Sequence, residues 1–178
     1  MTGVQTCALP ISKLVYPDGR VQSNCQRFPN IFYNLLELLR FQKLFPKWGG
    51  RLLLGSFFDY SEQIDVDWTW GAFFMFPKTI LSKMPGNKLF DGFFMYCEDM
   101  WWCWDIKKCG YKICFLPQGQ VIHFVGGSLG PKNEESEKNL KFFIKSNYSV
   151  QKRLLIQIFT KLLSYKFFSN FKKAPKPL

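Results

Sequence analysis

The hydrophobic pattern breaks the chain into short strands and helices. Residues 13–16 are a short apolar run, Pro17-Asp18-Gly19 is a turn signal, and residues 20–22 resume an extended segment. Together they predict a hairpin or a strand edge. Phe28-Pro29-Asn30 precedes a helical pattern that puts Ile31, Leu35, Leu38 and Leu39 on one face. Residues 47–51 contain Gly49-Gly50 and read as loop. Residues 66–77 are β-like, with Gly71 at a point where a Cβ would obstruct a close neighbour. A short helix is predicted over 78–84, ended by Pro85-Gly86-Asn87, and the aromatic run 90–96 follows.

Residues 98–109 predict a helix, with Glu98 and Asp99 at its start, Lys107 and Lys108 at its end and Gly110 just beyond. Those charges complement the helix dipole. Residues 111–116 and 120–125 read as two apolar strands separated by Pro117-Gln118-Gly119, and 129–137 read as a linker. Strands alternating with helices indicate an α/β fold. Residues 150–171 place Val150, Leu154, Leu155, Ile158, Phe159, Leu162 and Leu163 at helical spacing, with Lys152, Arg153, Gln157, Thr160, Lys161 and Ser164 mainly opposite.

Composition sharpens this picture. Of the residues, 47% are hydrophobic and 19% aromatic, which excludes a disordered chain. No run of 18 uncharged apolar residues occurs, so no spanning helix is expected. The net charge of +11 suggests an anionic partner. From residue 138 to 178 there are ten Lys or Arg and no acid; residues 1–137 hold the other 14 bases against all 13 acids. The body is therefore near neutral and the tail strongly basic. A basic amphipathic helix of this kind suits an anionic membrane surface, reached through residues 150–173. An ordinary helix packed on the body has the same periodicity. Nucleic acid is not expected as a partner, because basic and aromatic residues are not interleaved on the body.

The opening residues 1–11, MTGVQTCALPI, resemble at all eleven positions the translation of a common sequencing-adapter oligonucleotide. Residues 1–12 are accordingly expected to be an artefact outside the fold, and the chain to be the C-terminal part of a longer protein, inactive by itself. The other five cysteines, Cys25, Cys97, Cys103, Cys109 and Cys114, form no CxxC pair. They read as free, mostly buried thiols of a reducing compartment.

Three stretches could carry chemistry. In residues 93–104 the adjacent carboxylates Glu98 and Asp99 lie among aromatics. Apolar walls raise a carboxylate's pKa and suit a general base, although capping the following helix explains the same pair. In residues 121–128, His123 precedes Gly126-Gly127 and could ligate a metal or a phosphate, or simply be a hydrogen-bonded structural histidine. In Asp65-Val66-Asp67 the carboxylates at i and i+2 would share one strand face, a weak hint of a metal site.

Taken in order, the blocks resemble the second half of family-two inverting glycosyltransferases, in particular the rhamnosyltransferase-like group that builds bacterial surface polysaccharides. The blocks are Pro17-Asp18-Gly19 with Gln22, Ser23 and Arg27-Phe28-Pro29; Val66-Asp67-Trp68 with Gly71-Ala72; Phe93-Phe94 with Tyr96 and Glu98-Asp99; residues 110–117; and His123 with Gly126-Gly127-Ser128. The resemblance covers residues 13–128. It implies the C-terminal part of a GT-A-type fold over 13–130, followed by a linker and basic amphipathic tail over 131–178. It implies a nucleotide-sugar donor, a polysaccharide or lipid-linked glycan acceptor, and a divalent metal (Mg or Mn). Asp99 is then the base, with Glu98 supporting it. Asp67, Trp70, Gly71, Ala72 and Trp101 line the substrate cleft, and His123 binds the metal or the diphosphate. Asp65-Val66-Asp67 is not the family's metal motif, which belongs to the first half. Many relatives have a further acid two residues after the Glu-Asp pair and an Arg later in that helix. Trp101 and Asp105 stand in those regions here, which bears on the acceptor more than on the reaction. The implied location is the cytoplasmic face of a bacterial inner membrane, peripherally bound. The alternative is a non-catalytic, basic membrane- or nucleic-acid-binding protein.

Overall fold

The computed structural model describes residues 7–124 and 134–171, and their side chains from residue 9 to residue 164. The fold mixes helices and strands. β1 (Cys7–Val15) runs parallel to β5 (Lys112–Ile122), and β3 (Ile64–Val66) lies antiparallel on the other edge of β5. β2 (Cys25–Gln26) and β4 (Trp68–Thr69) form a separate antiparallel pair. The hairpin expected over 13–22 is present as a bridge from Val15 to Val21 around a turn closed by Gly19 N–H donating to Tyr16 O.

The main core joins Leu9 and Ile11 of β1 to Val66, Ile113, Phe115, Leu54, Tyr60 and, from α4 (Glu98–Lys108), Cys103 and Ile106. Leu9 and Ile11 are fully buried. The segment set aside from the fold as adapter-like thus fills the core beside the central strand. Its alternating apolar residues suit an edge strand facing one packed side.

Two expected boundaries change. The predicted break at Pro117-Gln118-Gly119 is no turn but a bulge inside one continuous strand: Ile11 pairs with Phe115 and Lys13 with Gln120, so β5 gains three residues on β1. Pro117, having no N–H to give the ladder, sits where the ladder is interrupted. Gly49-Gly50, read as loop, lies inside α3 (Pro46–Leu53). A Cβ on Gly49 would overlap the Gln42 backbone, and one on Gly50 the Phe57 carbonyl. These glycines allow close packing, which periodicity cannot distinguish from a loop signal.

α1 (Ile31–Leu38) starts as expected after Pro29, capped by the Asn30 side chain, which accepts from Phe32 N–H. α2 (Phe41–Leu44) and α3 follow it. Arg27 donates to the carbonyls of Leu52, Arg51 and Asp65, tying the end of α3 to the sheet region. Regular strand ends at Thr69, so most of the β-like 66–77 stretch is irregular, and 78–83 is a 3-10 helix.

Residues 129–133 of the expected linker lie outside the described residues, but 134–137 begin α5 (Glu134–Asn147). α5 packs onto the body: Phe143 is fully buried among Phe28, Trp101, Trp104 and Met100. α6 (Val150–Phe171) runs beside α1, with Asn34 reaching Thr160. Its apolar residues do not form one face. Ile156 is buried, Phe159 and Leu163 are half-buried, and Val150, Leu154, Leu155, Ile158 and Leu162 are exposed. Among the described residues no helix is long and apolar enough to cross a membrane.

Candidate active site

The chain approaches the Glu98-Asp99 pair through an uncommon backbone. Tyr96 and Cys97 both have positive φ, 67° and 71°, although neither is glycine. Such conformations cost on the order of 1–3 kcal/mol each and persist only when the surroundings hold them. The support comes from α5, where buried Asn139 donates to the carbonyls of both Met95 and Tyr96. Trp102 Nε1 donates to Phe90 O, fixing the preceding loop to α4. The sharp turn starts α4 at Glu98 and aims Asp99 at the end of β4.

There Asp99 meets Gly71. Gly71 N–H donates to Asp99 Oδ2 at 3.0 Å, and Met100 N–H to Oδ1 at 2.7 Å. Asp99 is half-buried. Burial, then the adjacent Glu98 charge, push its pKa up to about 6, against the opposing pull of the two N–H donors. Burial also raises Glu98, whose Oε2 is buried without a hydrogen-bond partner in the described structure. Both carboxylates stand in the first turn of α4, and Asp99 in addition holds Gly71 N–H from outside the helix. A group ionising near 6 can take a proton at neutral pH and still hold it.

A Cβ on Gly71 would lie 3.5 Å from Asp99 Cβ and 3.6 Å from Trp102, ordinary contacts rather than the obstruction expected from the sequence. Gly71 keeps one side of Asp99 uncovered. Trp70, beside it, meets His123 edge-on, with ring centroids 6.5 Å apart. Trp70, Gly71, Asp99 and His123 are thus linked through neighbouring contacts.

His123 is held by a residue whose role the sequence hid. Fully buried Gln22 donates from Nε2 to the His123 carbonyl at 2.7 Å, while its Oε1 lies 2.8 Å from His123 Nδ1. A carbonyl only accepts, so the amide orientation follows, and Oε1 must accept from Nδ1–H. The neutral imidazole then carries its lone pair on Nε2. That polarity suits a cation better than a bare phosphate oxygen. One lone pair is not a metal site, however, and no group of three or more His, Cys, Asp or Glu converges among the described residues. The residues present do not by themselves hold the expected divalent metal.

Other expected site residues fall elsewhere. Asp67 accepts from Lys107 Nζ at 2.7 Å and from Phe28 N–H at 3.1 Å, with Arg27 at 3.8 Å. Asp65 is exposed and faces Lys112 instead, so the two carboxylates do not share a site. Trp101, two residues after Asp99 and roughly 200° round the helix, stacks on Phe90 at 3.9 Å within an aromatic cluster with Phe93 and Phe142. Trp102 stands beside Asp99 in its place. Ala72 is exposed. A separate cleft of about 470 Å³ lies between α1, α6 and the body, walled by Arg27, Phe28, Tyr33, Glu37 and Trp68. It reaches Met100 but not Asp99. Cys25, Cys103 and Cys114 are buried, while Cys97 and Cys109 are half-buried. Gln22 stood in the sequence only as part of a motif block, and Trp102 and Asn139 were not singled out; Gln22 (Val21-Gln22-Ser23) and Asn139 (Lys138-Asn139-Leu140) lie in largely polar stretches that gave no signal of their contacts.

Comparison with curated proteins finds Rhamnosyltransferase WbbL of Escherichia coli (strain K12), 29% identical over 99 residues. The match covers 54% of this chain and 35% of that protein, so the chain spans about a third of the length of the curated relative it matches. The similarity points to a glycosyltransferase relationship. No family model matches the chain, and no solved structure matches it.

Proposed function

We propose that the chain provides the catalytic base and acceptor cleft of an inverting glycosyltransferase of the GT-A type, in family two and rhamnosyltransferase-like. The donor is a nucleotide sugar and the acceptor a polysaccharide or lipid-linked glycan hydroxyl. The observation that carries the reading is the Asp99 carboxylate, raised to about 6 and held by Gly71 N–H beside Trp70 and His123.

Asp99 takes the acceptor hydroxyl proton as the oxygen attacks the anomeric carbon. The new C–O bond forms on the face opposite the breaking bond to the diphosphate, which leaves with that bond's electron pair. Glu98, adjacent and half-buried, keeps the proton on Asp99 favourable through its negative charge. Gly71 leaves room for the acceptor over Asp99, and Trp70 offers a ring face to a sugar. Asp67, through Lys107 and Phe28, fixes the strand end that carries Trp70 and Gly71. A divalent metal, Mg or Mn, would supply charge neutralisation at the leaving diphosphate; His123 Nε2 could offer it one ligand, and the described residues do not supply the rest.

The basic residues of 150–173 and the exposed Val150, Leu154, Leu155, Ile158 and Leu162 support contact with an anionic membrane, at the cytoplasmic face of a bacterial inner membrane. The test is transfer of labelled sugar from nucleotide donors by the product of the native locus. Asp99→Asn should lower turnover by roughly 10²–10⁴, while unchanged transfer would favour a non-catalytic scaffold.

A further inference from the structure

The helices between β2 and β3 expose apolar residues that the core does not use. Leu44 and Trp48 are each 72% exposed, Leu39 64% and Phe45 54%. On α1, Phe32, Leu35 and Leu39 form an outward stripe at spacings of three and four, while Ile31 packs inward. On α3, Gly49, Gly50 and Leu53 face the body, which leaves Trp48 pointing away from it. Basic residues are interleaved here: half-buried Arg40 and exposed Lys43 and Lys47, with Glu37 and Asp59 flanking the stretch. Hydrogen bonds from Ser61, and more weakly the charge of Lys47, hold the Asp59 carboxyl below its ordinary pKa. None of the three makes an ion pair among the described residues.

We propose that this α1–α3 surface docks on an anionic lipid bilayer. Leu44, Phe45 and Trp48 enter the headgroup boundary, and Arg40, Lys43 and Lys47 pair with lipid phosphates. Charge complementarity selects the occupant. A symmetric second copy would bring two basic clusters together, which opposes association. Leu44 and Trp48 protrude rather than line a groove, and a bilayer accepts protruding apolar side chains without a matching concave face. Trp at the edge of a basic patch sits with its ring among headgroups and its N–H in water. The surface extends the lipid contact proposed for 150–173 to a second region, and it does not depend on the sugar-transfer reading.

The test is sedimentation of the full chain with phosphatidylcholine vesicles, alone or containing 30% phosphatidylglycerol by design, roughly the anionic content at which surface attraction becomes measurable. Binding should require the anionic lipid. The double variant Leu44→Ser, Trp48→Ser should weaken it by roughly tenfold or more. The triple variant Arg40→Gln, Lys43→Gln, Lys47→Gln should weaken it and flatten its salt dependence. A tail variant, Lys152→Gln with Lys161→Gln, should retain the part lost in those two. In the parent, brominated lipids should quench tryptophan emission, and Trp48→Phe should lose most of that quenching; this readout needs only one conservative change. Parent-like vesicle binding by the double variant overturns the proposal. So does quenching unaffected by Trp48→Phe, or a dimer that the double variant dissolves. Sugar transfer is not read, so failure here leaves the catalytic reading intact.

Discussion

Replacing Asp99 by Asn should stabilise the protein at neutral pH and leave it nearly unchanged in acid. The carboxyl ordinarily ionises at 3.8 and here at about 6. Each pKa unit is worth about 1.4 kcal/mol, so the ionised form costs the fold about 3 kcal/mol at most, less where solvent reaches the half-open side. The sign follows from which state holds the proton. Below 3.8 both folded and unfolded chains are protonated and no penalty exists. Between 3.8 and 6 the unfolded chain ionises first, so stability falls as pH rises, and above 6 the full penalty remains. Asparagine never ionises. Its single oxygen can serve either Gly71 N–H or Met100 N–H but not both, a loss of about 1 kcal/mol that the protonated parent shares in acid. The repulsion between Asp99 and Glu98 is already contained in that shift. The net gain at pH 7.5 is about 2 kcal/mol, or roughly 4–8 °C in Tm for a chain of this size. The assay is thermal or urea unfolding of both proteins from pH 4 to pH 8. A Tm difference that stays flat across that range, or that shrinks as pH rises, refutes the burial argument for Asp99. A variant that is more stable yet inactive is what a strained functional carboxylate should give.

Gln22→Leu removes the acceptor that fixes His123 as the Nδ1–H tautomer, so nitrogen NMR of the chain's single imidazole should show the two tautomers mixing; an unchanged tautomer would mean that Gln22 does not set it. Gly71→Ala should leave the unfolding free energy within about 1 kcal/mol of the parent, because the new Cβ makes only ordinary contacts, while lowering sugar transfer by covering Asp99; a large loss of stability would place the glycine's role in folding. Lys107→Met removes the cation closest to Asp67 and should cost about 1–3 kcal/mol, with Arg27 and Phe28 N–H keeping the loss below that of a fully orphaned carboxylate. Measured by urea unfolding, a neutral result would mean that solvent serves Asp67 as well as Lys107 does.

The legible parts of the fold were those with a local cause. α4 has acids at its start, bases at its end and Gly110 at φ 85° just beyond, and all of this lies within one stretch of sequence. The same holds for the α1 cap at Asn30 and the turn at Pro17-Asp18-Gly19. Asp99 was likewise visible as a carboxylate among aromatics. Gly49-Gly50 and Pro117-Gln118-Gly119 misled because the residue types that make turns also make close helix contacts and bulges. Which of these a glycine or proline serves depends on what approaches it.

The sequence alone determined the helices with capped ends, the uneven charge along the chain and the residue types able to do acid–base work. Tertiary structure decided what those residues face. It set Asp67 in an ion pair with Lys107, turned Trp101 into an aromatic cluster and put Trp102 beside Asp99. It also brought Gln22 to His123 across 101 positions and Asn139 to the turn before Asp99 across more than 40. Contacts at such separations leave no periodic trace, because each residue's local pattern reports only its own face. Asp99 itself takes one of its two N–H donors, Gly71, from 28 positions away.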